Sequence, residues 1–136
     1  MVVVAAMAII GVGIDLVEIA RARKMLERKG DQALAKILTT AERQYVESRE
    51  YPEQHFAARF AAKEAVYKAL QSLPEARTLG WHNIEIVSAD SGRPWVELHG
   101  AARELARDHR ISLSLSLTHT SETAGAVAIA ESQAPG

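Results

Sequence analysis

The chain has 136 residues, 16 Lys and Arg against 17 Asp and Glu, and a formal charge of −1. That is the length of one domain and exerts no global pull on nucleic acid or an anionic membrane, so neither is an expected partner. The absence of cysteine excludes disulfides, thiolate metal ligands and a cysteine nucleophile, and fits a reducing cytoplasm.

Met1 to Ile14 is apolar or glycine throughout. It is too short for a transmembrane helix, which needs ~20 residues, and the first cation, Arg21, comes too late for a secretory signal. Residues 1–8 read as a disordered or alternative-start leader, with Met7 as the alternative start, in a single domain spanning 1–136. Ile9–Asp15 then reads as a buried β-branched strand. Glu18–Lys29 reads as a helix stopped by Gly30, Asp31 caps a second to about Ile37, and Thr40–Ser48 forms a third. Pro52 opens the longest helical pattern, to about Leu70, ended by Ser72-Leu73-Pro74.

The second half changes period. Asn83–Ser88 and Pro94–Leu98 alternate as strands around an Asp90-Ser91-Gly92 turn. Gly100–His109 reads as a short helix. Ile111–Leu117 alternates apolar residues with serines, and Thr120–Glu122 turns into a small-residue strand, Thr123–Ala130. The order predicts an α+β fold with antiparallel strands, something packing close against the alanine-rich closing hairpin.

Three positions stand out chemically. Asp15 ends a strand without polar residues. It fits a capping box with Glu18, or a metal ligand, and a carboxylate has lone pairs for both. In Phe56–Leu70, residues Phe56, Phe60, Tyr67 and Leu70 form one apolar stripe at about 100° per residue. Glu64 falls at the stripe's edge, Lys63 inside it, and Lys68 one turn beyond Glu64, as an exposed i,i+4 pair would be. The alanines between Ala57 and Ala65 call for close approach by another backbone. His119 keeps the parity of the buried leucines at a strand end, flanked by hydroxyls. It reads either as a half-buried, hydrogen-bonded side chain or as a phosphate or proton contact. No phosphate-binding loop, dinucleotide fingerprint, HExxH or GxSxG occurs. Residue patterns therefore reach an α+β domain with a candidate two-carboxylate metal site.

In order and spacing, these segments resemble the holo-acyl-carrier-protein synthase family of 4'-phosphopantetheinyl transferases. Gly11–Ile19 (GVGIDLVEI) is similar to that family's N-terminal motif and Arg59–Ala69 (RFAAKEAVYKA) to its central helix. Asn83-Ile-Glu-Ile, Gly92-Arg93-Pro94 and Ser116-Leu-Thr-His119-Thr are similar to later landmarks. The resemblance implies an antiparallel sheet packed on a long central helix. It also implies transfer of 4'-phosphopantetheine from coenzyme A to a serine of an acyl carrier protein, for fatty-acid synthesis. It makes Asp15 and Glu64 the ligands of magnesium, with manganese as the alternative, and sets Lys68 near the reacting phosphate as the third catalytic residue. Arg59 and His119 would contact coenzyme A phosphates, Arg93 and Pro94 would line the nucleotide end, and the Arg21 helix would dock the carrier protein. The family works as a homotrimer with sites between subunits, which would put Asp15 and Glu64 across or near an interface. One departure is plain: the family's Gly-Thr-Gly loop after the central helix is here Gln71-Ser72-Leu73-Pro74.

Overall fold

The computed structural model describes residues 6–88 and 91–133. Strand β1 (Met7–Glu18) leads into helices α1 (Ile19–Ile37), α2 (Thr40–Glu47) and α3 (Pro52–Ala69). Short 3-10 turns at Pro74–Thr78 and Trp81–Asn83 precede strands β2 (Ile84–Ser88) and β3 (Pro94–Leu98), helix α4 (Ala101–Asp108), and strands β4 (Ile111–His119) and β5 (Thr123–Gln133). β5 lies between β1 and β4 in an antiparallel sheet, while β2 and β3 pair as a separate hairpin. This is the expected α+β class. Met7 and Ala8 pair with Gln133 and Ser132, so the expected leader gives way to strand by residue 7. Residues 1–5 of that leader, and Asp90 of the expected turn, lie outside the described residues.

Small residues bring α3 onto the sheet. Ala57, Ala61, Ala62, Ala65 and Ala69 of α3 are buried, as are Ala124, Ala126, Ala128 and Ala130, every second residue of β5 and so all on one face. On β1 the same face carries Gly11 and Gly13. A Cβ built on Gly11 would lie 1.8 Å from the Ala69 carbonyl oxygen, and one on Gly13 1.8 Å from that of Ala65. The close approach expected from the alanines is therefore real, and it involves β1 as well as the closing hairpin.

Two local expectations give way to tertiary structure. β1 is not buried throughout: Ile9, Val12, Ile14 and Leu16 are exposed, Ile14 by 62% and Leu16 by 68%. α3 covers one face of the sheet, and among the described residues no element covers these side chains on the other. Nor does Asp15-Leu16-Val17-Glu18 form a capping box. The strand continues to Glu18 opposite Thr123, the Glu18 side chain caps nothing, and the Ile19 N–H donates to the Glu122 carbonyl at 2.8 Å. Pairing with β5 supplies what the cap would have supplied. A capping box forms instead at Thr39 and Glu42, opening α2. Gly30 breaks α1 at φ 39°, ψ −111°, inside one continuous helical run, and Asp31 pairs with Arg43.

Candidate functional site

Asp15 takes the inner face of β1 by alternation, two residues from Gly13 and opposite Ala126. Its partner is Lys68, whose Nζ donates to Asp15 Oδ1 at 3.1 Å and to the Ile14 carbonyl at 3.0 Å. The expected surface pair of Lys68 with Glu64 is thus replaced by one across to the strand. Glu64 is half-buried on the same side of α3. Burial, and next the Asp15 charge, raise its carboxyl above the ordinary carboxylate pKa, against opposing pulls from Lys68 and Arg21. A cavity of about 290 Å³ opens beside Glu64, walled by Tyr67, Leu79, Trp81 and Ile84. Below it, Ser72 of the segment that replaces the glycine-rich loop donates to the Ile10 carbonyl at 3.1 Å.

Two oxygen-bearing groups close enough to repel are a site that a cation relieves. No three His, Asp or Glu side chains converge among the described residues, so side chains supply only part of a shell. That suits a hard ion which retains waters and takes its remaining ligands from a phosphate.

Arg59 belongs to a different cluster. Five residues from Glu64, it points about 140° away around α3. It is buried, 4.0 Å from the Tyr45 ring, with Nη2 bonded to Ser88 Oγ at 3.2 Å and Nε without a partner. Arg49 packs on the same ring at 4.2 Å, and His55 meets it edge-on at 5.6 Å between centroids. Burial is the main cause lowering both the Arg59 and the His55 pKa, and the two guanidiniums and His119 add to the lowering at His55. No ion pair joins Arg59 or Arg49 to a carboxylate among the described residues. The arrangement is a cationic cluster without a carboxylate partner among the described residues, a chemistry that suits an anion.

His119 ends β4, exposed, with Nδ1 3.3 Å from the Thr120 carbonyl. It keeps the predicted parity, but the expected partial burial is absent: the strand's leucines are half-buried and His119 at its end is exposed. Arg93 is exposed and Pro94 half-buried at the tip of the β2–β3 hairpin, facing Leu113 and Leu115 across a groove of about 320 Å³. One chain therefore unites Asp15, Glu64 and Lys68 at its β1 edge and places His119 at the opposite, β4 edge. Sequence reasoning missed Tyr45, Arg49 and His55. Their signal was the i,i+4 spacing of Tyr45 with Arg49 and of His55 with Arg59.

A central helix crossing an antiparallel sheet, with paired carboxylates at one edge and a cationic cluster at the other, defines a phosphate-handling α+β domain. The chain belongs to the 4'-phosphopantetheinyl transferase superfamily, whose model matches residues 11–127. It is 43% identical over 123 residues to the holo-[acyl-carrier-protein] synthase of Desulforudis audaxviator, covering 90% of this chain and 92% of that protein. Among solved structures it is similar to holo-[acyl-carrier-protein] synthase from Neisseria meningitidis, with TM-score 0.81, 28% identity, and coverage of 90% and 98%. It is also similar to the Bacillus anthracis synthase in complex with CoA (3',5'-ADP), with TM-score 0.75, 32% identity, and coverage of 93% and 99%.

Proposed function

We propose that this chain transfers 4'-phosphopantetheine from coenzyme A to a serine hydroxyl of an apo acyl carrier protein in fatty-acid synthesis. The other product is adenosine 3',5'-bisphosphate, and Asp15 and Glu64 hold magnesium, or manganese in its place. The observation that carries this reading is Asp15, bonded to the Lys68 ammonium and near enough to a half-buried Glu64 for its charge to raise that carboxyl's pKa. A divalent ion there neutralises charge on the pyrophosphate. Lys68 adds positive charge where the phosphoryl oxygens gain negative charge. Glu64 and Lys68 are the side chains present to take the serine proton, alongside water. Arg59, with Arg49, His119 and the Arg93-Pro94 segment, holds the 3'-phosphate and nucleotide end. The direct test is incubation with apo carrier protein, coenzyme A and magnesium, with and without chelator. A chelator-sensitive mass gain of one phosphopantetheine is expected, and no gain with several carriers refutes the reading.

The working unit is a homotrimer. Ile9, Val12, Ile14, Leu16 and Val127 present an exposed apolar face, the kind of contiguous patch that marks a protein–protein contact. The two halves of the site lie at opposite sheet edges, so a second copy supplies the cationic cluster to the carboxylates of the first. Ile14→Asp should reduce the sedimentation mass from three chains to one and cut turnover with it. A trimer of full activity refutes the arrangement.

The carrier protein docks on α1, where Arg21, Arg23 and Lys24 are exposed. Attraction to an acidic partner speeds encounter and weakens with salt. Arg21→Glu should raise KM for the carrier severalfold at low salt and less at high salt. An unchanged KM removes α1 from the docking surface. Among the described residues no helix is long and apolar enough to cross a membrane, and we place the reaction in the cytoplasm, which a cysteine-free chain fits.

A further inference from the structure

Among the described residues the most deeply buried charges are Lys63, one residue from Glu64, and Glu42, and neither has a part in the chemistry above. The side chains of Lys63 and Glu42 are both fully buried, with Nζ 2.6 Å from Glu42 Oε1. Nζ also donates to the carbonyls of Ile37 at 2.7 Å and Trp81 at 2.9 Å, so all three ammonium protons are used. Glu42 is equally committed. Oε1 accepts the Thr39 N–H at 2.8 Å and Oε2 the Ile86 N–H at 2.8 Å. One ion pair thus joins α3 to the end of α1, the start of α2, strand β2 and the turn at Trp81.

Stability alone is a poor reason for such a pair, because well-packed apolar residues commonly serve as well. Its location offers a better one. Glu64, the next residue on α3, borders the cavity whose opposite wall includes Trp81, and the Trp81 carbonyl is held by Lys63. The pair therefore fixes both sides of that cavity: the rotation of α3 that aims Glu64, and the seat of the wall it faces.

We propose that Lys63 and Glu42 are positioning residues for the carboxylate site, holding α3 and the Trp81 turn in the relation that lets Glu64 and Asp15 share a cation. This rests on the reading that Asp15 and Glu64 bind that cation. Since the chain has no cysteine, Lys63→Cys creates a unique thiol. Alkylation with 2-bromoethylamine in the unfolded state, followed by refolding, restores an ammonium at nearly the original length. Leu105→Ala, in the α4 core, serves as a destabilised control. Each protein is examined where circular dichroism shows it folded, for Mn2+ affinity by electron paramagnetic resonance and for kcat and KM. In a Trp95→Phe background, Trp81 is the sole indole and its emission reports the wall.

Lys63→Cys should weaken Mn2+ binding about 10–100-fold, the range for groups that orient metal ligands. It should also lower kcat and shift Trp81 emission to the red, and alkylation should restore all three. Leu105→Ala should change none of them. Unchanged Mn2+ affinity and kcat in folded Lys63→Cys, or an equal loss in Leu105→Ala, overturns the proposal. If Lys63→Cys does not fold, Glu42→Gln, which keeps the shape and one acceptor oxygen, loses the charge and turns the other acceptor into a donor, is read by the same criteria. A parent protein that binds no Mn2+ refutes the cation reading instead, and Trp81 emission in Lys63→Cys then decides the positioning claim.

Discussion

Glu64→Gln should lower turnover by roughly 10²–10⁴-fold, since a metal's charge neutralisation is worth several kcal/mol and each ~1.4 kcal/mol is tenfold. The substitution keeps shape and an acceptor oxygen and removes only the charge. Folding should not suffer. Burial and the Asp15 charge raise the Glu64 carboxyl above its ordinary range, so between the ordinary and the raised value the folded chain holds more of this proton than the unfolded one. Ionising Glu64 therefore costs folding stability as pH rises through that window, and the whole cost is present above it. Glu64→Gln removes the cost, so it should melt no lower than the parent at pH 8, with any advantage vanishing as pH falls below the ordinary carboxylate range. At limiting magnesium, where the metal-free chain dominates, the parent's own activity should fall on acidification at a pH above that expected for an exposed glutamate, as the proton competes with the cation. Thermal melts at pH 4 and pH 8, with turnover measured across the same range, check both claims. A variant of near-normal rate at limiting magnesium removes Glu64 from the metal site.

What the sequence disclosed depended on whether a signal was local. The start of α3 at Pro52, the period-two strands and the small residues between helix and sheet are written in neighbouring positions, and the structure keeps them. Partners distant in sequence were not legible from local pattern. Lys68 reads as the helical partner of Glu64, yet it bonds Asp15, 53 positions away. Lys63 reads as a charge misplaced in an apolar stripe until Glu42 arrives from another helix to meet it. Asp15 to Glu18 satisfies a capping pattern that pairing with β5 overrides. The exposed side of β1 shows why strands mislead: alternation tells which residues share a face, and an apolar face reads as buried whether this chain or another copy covers it. Residue patterns reached a candidate two-carboxylate site, but only the family resemblance made Asp15 and Glu64 joint ligands of one ion, because nothing in either segment alone gives their distance.

Gly13→Ala should be among the most damaging single-methyl changes available in this protein. A Cβ at that position would sit 1.8 Å from the Ala65 carbonyl oxygen, 2.7 Å from its carbon and 2.9 Å from the Ala69 nitrogen. All three are backbone atoms of α3, so no side chain can rotate aside, and helix and strand must part by more than an ångström. Overpacking typically costs about 1–3 kcal/mol, and contact with backbone puts this case at or beyond the upper end. The melting temperature should fall by roughly 10 °C or more. Activity should fall further than stability, because Gly13 is two residues from Asp15 and Ala65 follows Glu64. The movement that relieves the clash therefore draws the two carboxylates apart. Gly92→Ala separates the effects. Gly92 sits at φ +85° with nothing within 4 Å of the added methyl, so it bears only the left-handed backbone penalty of about 1–2 kcal/mol. That variant should bind Mn2+ as the parent does wherever it is folded. Melting curves and Mn2+ titrations of the two alanine variants side by side decide the matter. If Gly13→Ala melts and binds like the parent, α3 does not ride on β1 at the distance that brings Glu64 to Asp15.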